Sequence, residues 1–401
     1  MKVIQINAEY GRGSTGRIAL AISRRLTEND IDNIVFYSAN HRSAEPNGVM
    51  LGSKPMLRAH QLLSRAFGDQ GFHSRFATEK LVKQIREYQP DVILMHNLHG
   101  YYLHMDVLFG FLKEYGKPVL WTLHDCWAFT GHCAHYMLAG CSKWLSGCGG
   151  CPQRSAYPYS LFFDRSAELY NRKKKLFTDV EHLSLITPSK WLSDEVGKSF
   201  LSDKKRVVIS NGIDLNSFQP TDSDFRKKHG LENKYIILGV AAVWSDAKGL
   251  DVFEELSKRL DPSKYAVVLV GVDEAAEAKL PRNVIAVRRT QNTRELVEIY
   301  SAADVFVNPT RQDTYPTVNM EALACGTPVI TFNTGGAPEI ENGGFVIVTG
   351  ENTVQGVLDA LSLAPKKTAE SIAECAEGAR SFDEQDCFDR YVDLCRTVYK
   401  K

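Results

Sequence analysis

The sequence predicts an α/β protein built from two doubly wound, parallel-sheet domains, and three observations carry that prediction. Short β-branched runs alternate with amphipathic stretches of helical period along the whole chain. Most of these runs are apolar at consecutive positions, the pattern of strands covered on both faces. The alternation also stops and restarts once, after "RVVISNGID" (206–214), in a chain of 401 residues that is too long for one ordinary core.

The first strand, "KVIQIN" (2–7), runs into "NAEYGRGSTGRIA", where Gly11, Gly13 and Gly16 form a G-x-G-x-x-G turn before a helix over 15–28. Such a turn exposes backbone amides at a helix start, a place for a phosphate. A dinucleotide site needs in addition an acid at the end of the second strand, to bind the ribose. That strand, "NIVFYS" (33–38), ends in Tyr37, Ser38, Ala39 and Asn40, with no acid. NAD and FAD chemistry are therefore excluded. Residues 54–67, "KPMLRAHQLLSRAF", put Met56, Ala59, Leu63, Ala66 and Phe67 on one helical face, with Arg58 and Arg65 elsewhere. A helix packed on the sheet is the first reading; a helix lying on an anionic membrane surface is the second.

A helix over 77–88 leads to the strands "DVILMHN" (91–97) and "PVLWTLH" (118–124), the latter ending in His124 at a strand mouth. The stretch 125–160 then carries few helix or strand signals and five of the nine cysteines. Clustered cysteines in a reducing compartment point to a metal before a disulfide. Cys148 and Cys151 form a C-x2-C knuckle around Gly149 and Gly150, and with Cys133 and Cys141 they compose a closed, structural zinc site. Cys126, His132 and His135 are substitutes for any one ligand; small buried residues in an irregular loop are the other reading. A helix over 163–177, the strand "LSLITPS" (183–189) and a helix over 190–199 complete the first half.

The second half repeats the scheme. Its strands are "YIILGVAAV" (235–243), "YAVVLVG" (265–271), "NVIAV" (283–287), "DVFVNPT" (304–310) and "PVITF" (328–332), with helices over 249–260, 293–302 and 317–325. Its most specific stretch is "NPTRQDTYPTVNMEALACGTP", with Asp313 eight residues before Glu321. "TYPTV" (Tyr315, Pro316, Thr317, Val318) offers backbone amides at a helix start, suited to a diphosphate. Carboxylates accept paired hydrogen bonds from vicinal hydroxyls. Two carboxylates flanking an anion-binding turn match a ligand with a hydroxyl-bearing unit at each end of a diphosphate, the layout of a nucleotide sugar. The tail is one amphipathic helix with Phe388, Tyr391, Val392, Cys395 and Val398 on one face. The resulting division is 1–205, 206–380 and a terminal helix over 381–401.

Formal net charge is zero, with residues 1–200 six charges basic and residues 201–401 six charges acidic. No basic stripe, helix-turn-helix or zinc-finger spacing points to nucleic acid. With no apolar run of the ~18 residues that a membrane span requires, and a chain that opens directly as a strand, a cytoplasmic protein is expected, peripheral at the membrane if it touches one.

Taken together, "GSTGRIA", "PDVILMHNLHGYYL", "VLWTLHDCWAFTGHC", "GCGGCPQ", "TPSKWL", "ISNGID", "WSDAKGLDVF", "YSAADVFVNPT" and "EALACGTPVI" resemble the GT-B-fold retaining glycosyltransferases of family 4 over essentially the full chain. The likeness is to bacterial exopolysaccharide, capsule and O-antigen transferases. It implies two Rossmann-like domains facing a central cleft, with the last helix crossing back to the first domain. Glu321 matches the family's ribose-binding acid. Asp313 stands where the family has a longer Glu that contacts the donor sugar, and Lys248 matches the lysine that pairs with the diphosphate. Where the family often has an Arg, this chain has Val243, which leaves Arg311 or Arg289 as substitute cations. His124 matches a histidine facing the donor sugar; Gly13, Gly16 and Arg17 match the loop that approaches diphosphate and acceptor; Asn211 and Gly212 match the interdomain connection. The implied reaction transfers a hexosyl group from a UDP- or GDP-linked sugar to a hydroxyl of a saccharide or lipid-linked acceptor, with retention and without a catalytic metal. A nucleotide-sugar epimerase, or a binding protein without activity, is the alternative on the same architecture.

Overall fold

The computed structural model describes residues 1–278 and 280–400. Its chain divides into two units, Met1–Ser210 with Gln385–Lys401, and Asn211–Glu384.

The first unit is built on a parallel sheet of β1 (Lys2–Asn7), β2 (Asp32–Ser38), β3 (Gly48–Leu51), β4 (Val92–Met95), β5 (Val119–Thr122), β6 (Leu183–Thr187) and β7 (Lys205–Val208), in the order β3-β2-β1-β4-β5-β6-β7. β4 and β5 are buried at every position. They read as unbroken apolar runs because helices cover both faces of the sheet. One face carries Val3, Ile18, Ile22, Leu26 and Val92, and the C-terminal helix Glu384–Tyr399 lays Phe388, Tyr391, Val392 and Cys395 against it. Arg25 holds that helix by a two-pronged contact with Asp389, at 2.8 and 2.7 Å.

The second unit repeats the topology with β8 (Tyr235–Val240), β9 (Tyr265–Val270), β10 (Val284–Val287), β11 (Val305–Asn308), β12 (Val329–Thr331) and β13 (Val346–Val348), ordered β10-β9-β8-β11-β12-β13. The unit starts and finishes side by side: the Ile213 N–H donates to the Phe382 carbonyl at 2.8 Å, and the Glu384 N–H donates to the Ile213 carbonyl at 3.0 Å. Each sheet reverses its winding once, between β1 and β4 and between β8 and β11. Open parallel sheets bind ligands in the crevice beyond the strand ends at such a reversal.

The structure departs from the sequence reading at several places. The units part a few residues after positions 205 and 380, because β7 (Lys205–Val208) still belongs to the first sheet. β3 and β13 are additional strands, both half-exposed edges without a clean apolar pattern. Between residues 123 and 165 only two short 3-10 turns form, Trp127–Phe129 and Lys143–Leu145.

The helix Lys54–Phe67 reverses its expected packing. It buries His60 and Ser64, whose polar atoms face inward, and leaves Leu62 67 % and Phe67 43 % exposed. His60 Nδ1 meets Ser74 Oγ at 2.7 Å, which satisfies one polar atom of that inner face. Among the described residues no helix is long and apolar enough to cross a membrane.

Candidate active site

In the first unit the candidate residues Gly13, Gly16, Arg17 and His124 follow β1 and β5, on either side of the sheet reversal. The Asn7 side-chain oxygen accepts the Asn97 N–H at 3.1 Å, tying the exit of β1 to the exit of β4. The chain then turns through Gly11 and Gly13, at φ +73° and +66°, values that strain other residues. Gly16 serves close approach instead: a Cβ there would stand 3.0 Å from Glu9 Cβ and 3.1 Å from the Glu9 carbonyl carbon. The helix Gly13–Glu28 starts with no capping side chain and no acid in its first turn. Its first amides and its positive dipole end are therefore uncompensated, with Arg12 and Arg17 exposed beside them.

His124 follows β5. Its Nε2 lies 3.2 Å from His96 Nδ1, the rings stack at 5.4 Å, and His96 Nε2 lies 3.0 Å from Gln5 Oε1. Gln5 donates its own amide N–H to the Ala19 carbonyl, so its oxygen faces His96. That order makes His96 Nε2 a donor and His96 Nδ1 an acceptor, and hence assigns the Nε2 proton to His124. Burial pulls His124 down to about 4, with Asp125 acting weakly the other way, so the imidazole is neutral near pH 7. Sequence reasoning passed over His96, which only the pairing of β4 with β5 brings beside His124. It also passed over His99, whose Nε2 lies 2.7 Å from Asp125 Oδ2. Burial would raise the Asp125 carboxyl, but His99 holds it at about 2.

In the second unit, the loop after β8 lies against the loop after β11. Gly249, at φ +73°, sits where a Cβ would meet the Pro309 carbonyl oxygen at 2.5 Å. This contact brings Lys248 Nζ to 2.8 Å from Asp313 Oδ2, an ion pair that bridges the reversal between β8 and β11. Asp313 Oδ1 accepts the Tyr315 N–H at 3.3 Å.

The helix Thr317–Ala324 starts at Pro316 with no side-chain cap. Because the Tyr315 N–H is engaged and Pro316 has none, Thr317 and Val318 supply the amides of this helix start. The Tyr315 side chain is buried. Glu321, also buried, accepts the Tyr300 hydroxyl at 3.2 Å. Arg311, the expected substitute cation, forks its guanidinium onto Asp251 at 2.7 Å and donates to the Asp246 carbonyl at 2.6 Å. Arg289 is exposed.

The expected zinc ligands Cys133, Cys141, Cys148 and Cys151 line one small cavity. All nine cysteines are free. Among the described residues, however, no three His, Cys, Asp or Glu side chains stand close enough to share an ion. Burial, reinforced by Cys151 and Cys148, pushes the Cys133 thiol up to about 12, and burial raises Cys148 and Cys151 as well.

Residues 15–217 match the Glycosyltransferase Family 4 domain and residues 221–381 the Glycosyl transferases group 1 domain. Over 419 residues, 99 % of this chain and 100 % of the relative, the chain is 26 % identical to a protein of Escherichia coli (strain K12) named as a colanic acid biosynthesis glycosyl transferase, WcaC. It is 28 % identical over 232 residues, 52 % of this chain and 54 % of the relative, to the D-inositol 3-phosphate glycosyltransferase of Actinosynnema mirum. Among solved structures, sucrose-phosphate synthase from Thermosynechococcus elongatus superposes with a TM-score of 0.68 at 14 % identity, covering 100 % of this chain and 99 % of that one. Anabaena Alr3699/HepE in complex with UDP gives a TM-score of 0.68 at 17 % identity, covering 99 % and 100 %. Its complex with UDP-glucose gives 0.65 at 15 % identity, over the same shares.

Proposed function

The chain belongs to glycosyltransferase family 4, and on that premise we propose that it moves a hexosyl group from a nucleoside diphosphate sugar to a hydroxyl of a lipid-linked saccharide, with retention at the anomeric carbon, in surface polysaccharide synthesis. The observation that carries this reading is the second-unit constellation: Lys248 paired with Asp313 across the sheet reversal, beside an uncapped helix start and the buried Glu321.

In this reading the Thr317 and Val318 amides and Lys248 take the diphosphate, Glu321 the ribose hydroxyls and Asp313 the sugar hydroxyls. The glycine turn at Gly13 and Gly16, with Arg17, is itself a place for a phosphate. His124, neutral and oriented through His96 and Gln5, suits a hydrogen bond to a sugar hydroxyl. The protein then works by positioning the donor and stabilising charge on the departing diphosphate, whose oxygen takes the acceptor proton. That path asks for no divalent ion. The complexes of Alr3699/HepE with UDP and UDP-glucose support a nucleotide sugar as the donor.

The test is a thermal-shift panel of UDP, GDP, ADP and dTDP with their sugars, followed by transfer assays on a lipid-linked acceptor. A ligand at a hundred times its dissociation constant adds roughly 2.7 kcal/mol of stability, a visible shift. One nucleotide family is expected to stabilise the protein and its sugar to be transferred. Interconversion of the free nucleotide sugar, or binding without turnover, contradicts the proposal.

A lipid-linked acceptor also gives a use to the reversed helix Lys54–Phe67. Leu62, Leu63 and Phe67 are exposed together with Leu161, Phe162 and Phe163. Phe67 stacks on Phe163 at 6.2 Å, and the Leu161 N–H donates to the Arg65 carbonyl at 2.7 Å, so the two segments make one surface. Apolar side chains flanked by Arg58 and Arg65 fit an anionic bilayer. The protein is expected to sediment with phosphatidylglycerol vesicles but not with phosphatidylcholine ones, and high salt should release it. Arg58→Glu with Arg65→Glu should abolish the binding. Equal recovery in the supernatant with both lipids counts against this contact.

A further inference from the structure

The second unit carries a fully buried tyrosine that has no part in the chemistry proposed so far. Tyr300, in "YSAADVFV", stands in the last turn of the helix Thr293–Ala302 and is 0 % exposed. Its ring packs edge-on against Phe306 of β11, with the centroids 5.6 Å apart. A phenylalanine would fill that space equally well. What tyrosine adds is a hydroxyl, and a phenol taken out of water needs a partner. Here the hydroxyl donates to Glu321 Oε2 at 3.2 Å.

Glu321 gives this contact its consequence. It lies in the middle of the helix Thr317–Ala324, whose residues from Asn319 to Ala324 are all buried. A carboxylate in such surroundings costs free energy unless it is hydrogen-bonded. One turn separates Glu321 from Thr317, so the two share a helix face and stand about 6 Å apart along the axis. With a diphosphate on the Thr317 and Val318 amides, that rise carries Glu321 on towards the ribose.

Tyr300 is itself held from behind. Thr327 Oγ1 donates to the Tyr300 carbonyl at 2.7 Å. Lys367 Nζ donates to Thr327 Oγ1 at 2.8 Å and to the Ser301 and Ala303 carbonyls at 2.7 and 2.6 Å. Thr327 follows the helix that bears Glu321, so these bonds tie the end of one helix to the exit of the other. The phenol therefore has a fixed origin, and the carboxylate it meets gives up rotamer freedom before any ligand arrives.

We propose that Tyr300 is a positioning residue for the ribose subsite: its hydroxyl fixes one oxygen of Glu321 and so turns the carboxylate towards the vicinal hydroxyls of a nucleoside diphosphate. The proposal rests on the assignment of Glu321 to the ribose. A carboxylate has about four lone-pair sites, enough for the phenol and ribose hydroxyls together. In this role Tyr300 acts through Glu321 and touches no atom of the donor. Its effect is therefore on the discrimination between ribose and deoxyribose.

The experiment measures by calorimetry the affinity of the full chain for UDP, 2′-deoxy-UDP and 3′-deoxy-UDP, with the guanosine set in their place if the thermal-shift panel selects GDP. The unmodified protein is expected to bind at least one deoxy form roughly tenfold more weakly, because a hydroxyl bonded to a charged group is missing. Tyr300→Phe should narrow that gap to about threefold or less, mainly by weakening UDP. Glu321→Gln should close it, and Tyr300→Phe added to Glu321→Gln should change nothing further, the non-additivity of two residues that act as one. The gap is a ratio, so a loss of folded protein, which scales every affinity alike, leaves it untouched. Thr327→Val, which releases the Tyr300 carbonyl, should move the gap in the same direction and serves if Tyr300→Phe does not fold. An unchanged gap in Tyr300→Phe overturns the proposal, as does equal weakening of all the nucleotides or an effect that adds in full to that of Glu321→Gln. No gap in the unmodified protein, or one that survives Glu321→Gln, overturns the ribose assignment and the proposal with it.

Discussion

Lys248→Met is expected to lower turnover of the intact donor by roughly two to three orders of magnitude, the usual cost of removing one preorganised group that stabilises developing charge. The ion pair with Asp313 sharpens this expectation. Lys248 Nζ is 2.8 Å from Asp313 Oδ2, so before the donor arrives the cation is shared with a carboxylate. Asp313→Asn removes that competitor. Affinity for the bare nucleoside diphosphate should therefore rise a few-fold, while turnover of the sugar-bearing donor falls. Glu321→Gln should do the opposite to the nucleotide, weakening it by about 1.5–3 kcal/mol, the range for hydrogen bonds to charged groups. Calorimetry with the nucleotide and steady-state kinetics with the sugar separate the three variants. If Asp313→Asn and Glu321→Gln shift nucleotide affinity in the same direction, the division of roles between the two acids is wrong.

Acidification from pH 6.5 towards 4 is expected to cost several kcal/mol of stability. Burial pulls His60 down to about 3 and His124 to about 4, and it lowers His96 well below the ordinary imidazole value. The charged neighbours are few: His60 faces His73, Asp69 and His104, and His124 faces Asp125 and His99. In the unfolded chain these imidazoles take up protons near pH 6.5. Between the two values the unfolded state binds more protons, so stability falls as pH falls. At pH 5, His60 and His124 each account for roughly 2 kcal/mol. Asp125, held at about 2, adds its own loss only below the ordinary carboxylate range. Urea unfolding at pH 7, 6 and 5 measures this. A midpoint unchanged from pH 7 to 5 would mean that the histidines are not held neutral.

The strands that were legible are those buried on both faces, such as "KVIQIN" and "YIILGV", whose consecutive apolar residues need no partner to be recognised. β3 and β13 were not, because an edge strand of three or four residues has one solvated side and little pattern. The same limit appears in the helix Lys54–Phe67. Its period announces two faces, but not that the face carrying His60 and Ser64 is the inner one. At the site, the spacing of Asp313 and Glu321 and the glycine turn could be read directly. The pairing of Lys248 with Asp313, and of His124 with His96, could not: these join residues 65 and 28 positions apart that only sheet order makes neighbours.

The second unit begins at Asn211 and ends at Glu384, and Ile213 bridges to Asp383, so its two ends meet at one rung of backbone pairing. Along the chain it is therefore an insert in the first unit. No single cut separates the two. A fragment stopping at Ser210 would be deprived of Phe388, Tyr391, Val392 and Cys395, leaving Ile18, Ile22 and Val92 bare to water. The inserted body is contiguous and its ends adjoin, so the 174 residues from Asn211 to Glu384 form the one segment that can be lifted out whole. The first unit is recovered only by joining Ser210 to Gln385.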